Sequence, residues 1–257
     1  MIPSLLVAVV TTVVTLEATP PQVQNELRAN TPATETQAKA PVQLTAENRA
    51  DILMARKMYR EAIEKYREMS DSAVISNKIG IAYHQLLELD MAKKYYERAV
   101  KLDRQYAEAI NNLGTVYYAR KSFRRAIGEY KKALRITPNS ASILSNLGTG
   151  YFARKNYELA SETYQKALAL DPEVFERRST QGVLLQDRSV EERAKFHYYL
   201  AKTYAKAGKT ELALLYIRKS LEEGFKERNK FQQEPDFASL QQDPEFKKLM
   251  ETEQKVL

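Results

Sequence analysis

Apolar and polar residues follow a helical spacing from residue 73 to residue 174, and the pattern recurs every 34 residues. Each copy has a glycine, a tyrosine three positions later and an alanine nine positions after that, followed by a second tyrosine and a second alanine. The matching positions are Gly80, Gly114 and Gly148; Tyr83, Tyr117 and Tyr151; Ala92, Ala126 and Ala160; Tyr96, Tyr130 and Tyr164; Ala99, Ala133 and Ala167. A fixed period of this length predicts a stack of repeated helix pairs.

The copy at 107–140 shows how one unit folds. Its spacing predicts a first helix over 107–119, a turn over 120–122 and a second helix over 123–136. Gly114 allows the two helices to approach closely, because a glycine has no Cβ atom. Pro138 closes the unit, because the residue before a proline is driven out of the helical region. We therefore expect the repeated residues to be scaffold, and function to lie at the positions that vary.

These repeated positions, with the closing prolines Pro138 and Pro172, resemble the tetratricopeptide repeat family in three consecutive copies. The resemblance implies an all-α fold, an α-solenoid of antiparallel helix pairs that forms a right-handed superhelix with a C-terminal helical cap. It also implies protein binding rather than catalysis, with the first helix of each pair lining a concave groove.

The N-terminal 44 residues differ in composition from the repeats. Residues 1–18 contain an apolar run from Leu5 to Val14, which is short for a membrane span and typical of a secretory signal peptide. An uncleaved anchor and a misassigned start are the alternatives. Residues 19–44, rich in Thr, Pro, Gln and Ala, predict a disordered linker. We therefore expect an exported bacterial protein of the periplasm, and otherwise a cytoplasmic one.

The repeat array is predicted over residues 45–225. It begins with a degenerate unit at 45–72, four residues short, and continues with units at 73–106, 107–140 and 141–174. An insert at 175–193 precedes the last unit at 194–225. The insert either extends the preceding helix or packs its apolar run at 183–185 against the groove, and Ser189 to Glu192 predict a capping box at a helix start. Residues 226–257, with helix starts at Pro235 and Pro244, are predicted to cap the array.

The composition excludes several kinds of chemistry. The chain has no cysteine, which removes thiol nucleophiles, disulfides and cysteine-based zinc sites. Its two histidines, His84 and His197, have no neighbouring ligand or nucleophile in the sequence. Neither a phosphate-binding loop with its lysine nor a usable carboxylate pair is present. We therefore expect no enzyme activity, no cofactor and no metal site.

A partner-binding site is predicted on the concave groove. By the geometry of the family, residues at fixed offsets from the repeated small residue face this groove. They are Asn77, Lys78, His84, Asn111, Asn112, Thr115, Tyr118, Ser145, Asn146, Thr149, Phe152, Tyr198, Tyr199 and Lys202. Glu108 and Ser142 face the same groove. Asn112 and Asn146 share one register, and an asparagine amide can pair with an extended peptide backbone.

Charge adds a second candidate surface. The chain has 40 basic and 33 acidic residues, a formal net charge of +7. Basic residues recur at equivalent turns and predict a basic ridge along one edge, formed by Arg120, Lys121, Arg124, Arg154 and Lys155.

The main hypothesis is therefore a non-enzymatic scaffold that binds a peptide segment or protein partner in the concave groove. The alternative is a binder of an anionic polymer or nucleic acid through the basic ridge. Nucleic acid is not expected, because both charge signs are mixed along the helices. Membrane contact is expected at most through an uncleaved N-terminal segment.

Overall fold

A computed structural model of the chain describes residues 44–175 and 189–251. Four predicted features lie wholly or partly outside the described residues. They are the signal peptide (1–18), the linker except for Leu44, residues 176–188 of the insert, and residues 252–257 of the cap.

Twelve α-helices and one 3₁₀ helix form the described part of the chain. The helices are α1 Ala46–Ala55, α2 Tyr59–Arg67, α3 Ala73–Gln85, α4 Leu89–Leu102, α5 Ala107–Ala119, α6 Phe123–Ile136, α7 Ala141–Ala153, α8 Tyr157–Leu170, α9 Val190–Lys206, α10 Thr210–Glu222, α11 Lys230–Gln233 and α12 Pro244–Glu251, with the 3₁₀ helix at Pro235–Leu240. No strand occurs among the described residues. The predicted helices 107–119 and 123–136 coincide with α5 and α6.

Consecutive helices pack as pairs, and each pair stacks on the next. The pairs are α1 with α2, α3 with α4, α5 with α6, α7 with α8, and α9 with α10. The second helix of each pair then packs on the first helix of the next pair. Contacts of α5 with both α3 and α7 bring the first helices together along one face. The predicted all-α solenoid is therefore confirmed.

The repeated glycines lie where a tyrosine crosses from the second helix of the same pair. A Cβ atom on Gly114 would be 2.6 Å from the ring of Tyr130, and a Cβ atom on Gly148 would be 2.5 Å from the ring of Tyr164. Both tyrosines are fully buried. A contact this short is forbidden in a close-packed interior, so an alanine at either glycine would require the two helices to move apart.

The turns inside the pairs share one hydrogen-bonding pattern. In the pair α5–α6, the amide of Ser122 donates to the carbonyl of Tyr117 and the amide of Lys121 to the carbonyl of Tyr118, both at 2.8 Å. This is a Schellman motif, which places one residue in the left-handed region. That residue is Lys57 (φ 62°), Leu87 (φ 60°), Lys121 (φ 57°), Lys155 (φ 61°) or Gly208 (φ 68°), depending on the pair.

The start of α9 confirms the predicted capping box. The amide of Glu192 donates to Oγ of Ser189 at 3.2 Å, and the amide of Ser189 donates to the Glu192 carboxylate at 3.4 Å. These two bonds satisfy amide groups that an uncapped helix start leaves unpaired. The helix after the insert therefore begins where its local sequence predicts.

The C-terminal segment covers the last helix pair. Phe237 is 0% exposed, and Leu240 and Phe246 are each 1% exposed. They share one hydrophobic cluster with α9 and α10, to which Leu249 and Met250 add partly buried surface. A terminal repeat needs such cover, because its outer apolar face would otherwise meet water. The predicted C-terminal cap is therefore present.

Candidate functional site

The predicted groove residues fall into a buried set and a half-exposed set. The buried side chains are Asn77, Asn111, Asn112, Thr115, Asn146, Thr149, Phe152 and Tyr198. The half-exposed side chains are Lys78, His84, Tyr118, Ser145, Tyr199 and Lys202. The half-exposed side chains are the ones that a partner could contact directly, whereas the buried side chains form the floor of the groove. The assignment of these residues to partner binding stays a prediction.

The buried asparagines are hydrogen-bonded to one another across the repeats. Nδ2 of Asn112 donates to Oδ1 of Asn77 at 3.0 Å, which links α5 to α3. Nδ2 of Asn146 donates to Oδ1 of Asn111 at 3.0 Å, which links α7 to α5. Buried amide groups must be hydrogen-bonded to avoid a large desolvation cost. Asn112 and Asn146, which share one register, therefore join neighbouring repeats through their hydrogen bonds.

At the N-terminal end of the groove, Lys78 lies in an ion-pair cluster with α1. Its Nζ is 2.7 Å from Oε1 of Glu47 and 2.8 Å from Oδ2 of Asp51. Burial lowers the pKa of Lys78, but the hydrogen bonds and charges of Asp51 and Glu47 outweigh burial and raise the pKa overall. Lys78 is therefore a cation whose charge is balanced within the chain.

At the other end, the described C-terminal segment 225–251, which we call the tail, lies on α9. Nζ of Lys202 is 2.7 Å from Oε2 of Glu234 and 2.8 Å from Oδ2 of Asp236. Tyr198 is 2% exposed and stacks on Phe225, with ring centroids 4.6 Å apart. The predicted groove residues Tyr198 and Lys202 thus contact the tail, and an external partner reaches them only if the tail moves.

Between these two ends lies a polar stretch that we call the central groove. It consists of Glu108, Thr115 and Tyr118 on α5 and of Ser142, Ser145 and Thr149 on α7. Glu108 is the one charged residue of this set. Oγ1 of Thr149 donates to the carbonyl of Ser145 at 2.9 Å, and the ring of Tyr118 lies 5.1 Å from that of Phe123. The central groove therefore combines one carboxylate with neutral polar groups and an aromatic side chain.

An aromatic cluster follows the central groove towards α9. Tyr157 and Tyr199 stack with ring centroids 4.8 Å apart and planes 13° from parallel. Phe152 packs edge-on against Tyr157 at 5.3 Å, and Nζ of Lys195 lies 4.3 Å from the Tyr157 centroid. Burial is the main cause that raises the pKa of Tyr199 to about 12. Its hydroxyl is therefore neutral at physiological pH.

An open cleft of about 570 Å³ lies where α5, the turn before α7 and the start of α7 meet. We call it the cleft. It is lined by Ala107, Glu108, Asn111, Thr137, Pro138, Asn139, Ser140, Ser142 and Ile143. Because Glu108 and Ser142 belong to both surfaces, the cleft opens into the central groove.

The basic ridge is interrupted and partly neutralised. Lys121 and Lys155 are exposed at the left-handed turn positions, but Arg120 forms an ion pair with Asp90. The equivalent turn of the preceding pair carries Leu87, which is 77% exposed. Because of this ion pair and of Leu87, the basic surface is not continuous across the turn at Leu87, where an anionic partner would need it.

The two histidines pack in the scaffold. His84 lies 6.4 Å from the ring of Tyr96, and burial lowers the pKa of His84. Nδ1 of His197 lies 2.7 Å from Oε2 of Glu223; burial lowers the pKa of His197 and outweighs the opposite effect of Glu223. Within 44–175 and 189–251, no group of three or more His, Asp or Glu residues could hold a metal ion. None of the described helices is both long and apolar enough to cross a membrane.

Two features of this surface do not follow from the sequence pattern. The first is the ion-pair contact of the C-terminal segment with the groove side of α9. Its only sequence signal is the acidic pair Glu234 and Asp236 together with Lys202 and Lys206, two lysines one helical turn apart on α9. The second is the cleft, which depends on a single small residue, Ser140, at the end of a repeat.

Comparison with known proteins agrees with the fold. A sequence profile described as Tetratricopeptide repeat matches residues 105–173, and a second with the same description matches residues 74–106. Residues 74–173 are therefore similar to tetratricopeptide repeats. No curated protein sequence matches the chain.

Several solved structures resemble the chain. One is YrrB, described as a TPR protein with an unusual peptide-binding site, at 22% identity over 49% of this chain and 68% of that chain, with a TM-score of 0.44. Another is MamA from Desulfovibrio magneticus RS-1, at 21% identity over 69% of this chain and 92% of that chain, with a TM-score of 0.48. Nothing about the function of this chain follows from either.

Proposed function

We propose that the protein is a non-enzymatic scaffold that binds an extended peptide segment of a protein partner in the central groove. The observation that carries this proposal is the distribution of charge along the groove. Lys78 is paired with α1 at one end, and Lys202 is paired with the tail at the other. Between them the groove offers half-exposed polar side chains that the tail does not cover.

The chemistry of the central groove suits a peptide with few charges. A peptide that enters the groove loses its hydrogen bonds to water. The hydroxyl groups of Ser142, Ser145 and Tyr118 can replace these bonds, because a hydroxyl both donates and accepts. The rings of Tyr118 and Tyr157 add half-exposed aromatic surface with little side-chain entropy to lose. A stack of helix pairs also provides the extended surface that repeat proteins use for binding.

Selection from a displayed library of random peptides tests this proposal. The groove variant is Ser142→Arg/Ser145→Arg, which places two long side chains in the central groove. The control is Gln165→Arg/Ala169→Arg, which adds the same charge on α8, the second helix of that pair. Peptides selected on the wild type should bind the control within about twofold and the groove variant at least about tenfold more weakly, a loss that corresponds to about 1.4 kcal/mol.

Circular dichroism should show the same helix content in all three proteins. The proposal is contradicted if the wild type selects no peptide, or if the groove variant binds the selected peptides as well as the control does.

We also propose that the protein is exported to the periplasm, on the basis of the apolar run from Leu5 to Val14. Sequencing of the mature N-terminus from fractionated cells should find a chain that begins after residue 18 in the periplasmic fraction. A full-length chain in the cytoplasmic fraction would contradict this.

A further inference from the structure

The cleft is open because the last residue of one repeat is small. This residue is Tyr106 in the unit 73–106 and Ser140 in the unit 107–140. Between α3 and α5, the hydroxyl of Tyr106 lies 3.3 Å from Nδ2 of Asn77 and fills the corresponding space. Between α5 and α7, Ser140 leaves that space open, and Asn111, the counterpart of Asn77, lines the cleft.

Glu108 lines the cleft, and its carboxylate accepts hydrogen bonds from two residues of the preceding unit, Asn77 and the hydroxyl of Tyr106. Its Oε1 accepts a hydrogen bond from Nδ2 of Asn77 at 3.0 Å, and Asn77 is 1% exposed. A carboxylate that is already oriented loses less entropy when it forms a charge-assisted hydrogen bond. The other residues that line the cleft are neutral.

We propose that the cleft binds a basic side chain, lysine or arginine, of the peptide that occupies the central groove, and that Glu108 selects it. This inference rests on the proposed function and names one determinant of its specificity. A volume of about 570 Å³ is large enough for a lysine or arginine side chain. Side-chain oxygens of Thr137, Asn139 and Ser142 can accept the remaining N–H groups.

Other side chains fit the cleft less well. An acidic side chain would be repelled by Glu108, since like charges at close range are unfavourable. An apolar side chain would remove water from Glu108 and Asn111 without replacing its hydrogen bonds, which is costly. A single basic residue in an otherwise weakly charged peptide therefore matches the cleft and the central groove together.

Three proteins in the same peptide selection test this inference: the wild type, Glu108→Gln and Ser140→Tyr. Glu108→Gln removes the charge and keeps the shape. Ser140→Tyr fills the cleft with the residue that the preceding repeat carries. It keeps Ser142 and Ser145 in the sequence but removes the Ser140 hydroxyl, which caps α7 at Ile143 and hydrogen-bonds Ser142.

Peptides selected on the wild type should share a lysine or arginine at one position. Replacing that residue by alanine should weaken binding to the wild type about tenfold and binding to either variant less than about twofold. The wild-type preference should shrink as the NaCl concentration rises from about 0.05 M to about 0.5 M. As a charge reversal, Glu108→Lys should select an acidic residue at the same position.

The outcomes separate this inference from the proposed function. Peptides that lose binding to Ser142→Arg/Ser145→Arg but share no basic residue would overturn the inference and leave the proposed function intact. The same tenfold loss on the wild type and on both variants would also overturn it. A library that yields no groove-dependent peptide would contradict both.

Discussion

The last helix pair and the central pairs α3–α8 share one architecture but present different groove surfaces. Over α5 and α7 the surface is half-exposed, whereas over α9 it is covered by Glu234, Asp236 and Phe237 of the tail. The comparison shows that the repeat determines which positions face the groove. Segments outside the repeat determine which of those positions a partner can reach.

Removing a fully buried aromatic side chain of the tail should give the largest effect. Phe237→Ala deletes a side chain that is 0% exposed, and we expect a loss of about 3–5 kcal/mol in the free energy of unfolding. The neighbouring exposed residue provides the control, because Ser239→Ala should change stability by less than about 0.5 kcal/mol. Urea denaturation followed by circular dichroism measures both. A loss below about 1 kcal/mol for Phe237→Ala would show that the tail is not firmly packed.

The close packing of the central pairs can be tested at one glycine. Gly114→Ala brings a methyl group against Tyr130, and we expect a loss of about 1–2 kcal/mol after the gain in helix propensity is included. In the first unit the position of Gly114 is taken by Ala50, sixteen residues before Tyr66. The two helices of a pair can therefore lie farther apart, and for this reason the expected loss of stability is small. Gly128→Ala is the control: no atom lies within 4 Å of its added Cβ, so it should stabilise α6 by up to about 1 kcal/mol. Equal effects of the two substitutions would contradict the packing argument.

The ion pairs of the tail predict a pH dependence of the free energy of unfolding. Burial raises the pKa of Asp236, but hydrogen bonds and charges of Lys202 and Lys206 outweigh burial and leave the pKa below its ordinary value. A depressed pKa gives stability that is complete above about pH 4 and is lost as the pH falls through the folded-state value. Asp236→Asn should therefore cost about 1 kcal/mol at pH 7 and progressively less below about pH 4.

The control for this prediction is Asp90→Asn, which removes an exposed ion pair with Arg120 and should have no measurable effect at either pH. A loss for Asp236→Asn that stays constant from pH 7 to about pH 3 would show that its charge does not stabilise the tail.

The smallest effect should come from exchanging the turn residues of the two regions. Leu87 has φ 60°, a conformation that glycine adopts without strain, so Leu87→Gly should stabilise the protein by about 0.5–1 kcal/mol. The last pair already has Gly208 there, and no atom lies within 4 Å of a Cβ added to it. Gly208→Leu should therefore destabilise by a similar amount through backbone conformation alone. Thermal unfolding measures the melting temperature of both variants. Shifts of the same sign for Leu87→Gly and Gly208→Leu would contradict this prediction.

The repeated part of the fold could be predicted from the sequence because its determinants are local and periodic. Gly114 and Tyr130 recur at fixed spacing, and Ser189 with Glu192 signals a helix start within four residues. The contact between Lys202 and Glu234 joins residues 32 apart, and Glu234 belongs to no repeat, so no periodic signal marks this contact. The burial of Asn112 could not be predicted either. The sequence shows an asparagine at a groove position, which suggests a ligand contact, but not that its hydrogen-bond partner is Asn77 of the preceding repeat.

Site-specific photocrosslinking in the native host most directly tests the claim that partners bind over α5 and α7. One photoreactive residue is placed at Ser145 in the central groove, and the controls carry it at Ile52 on α1 or at Ser239 on the tail. We expect crosslinks to a partner to form mainly from position 145 and to disappear when Tyr118→Ala and Ser142→Arg are added. Crosslinks that form equally from positions 52 or 239, or that persist from 145 in that background, would contradict it.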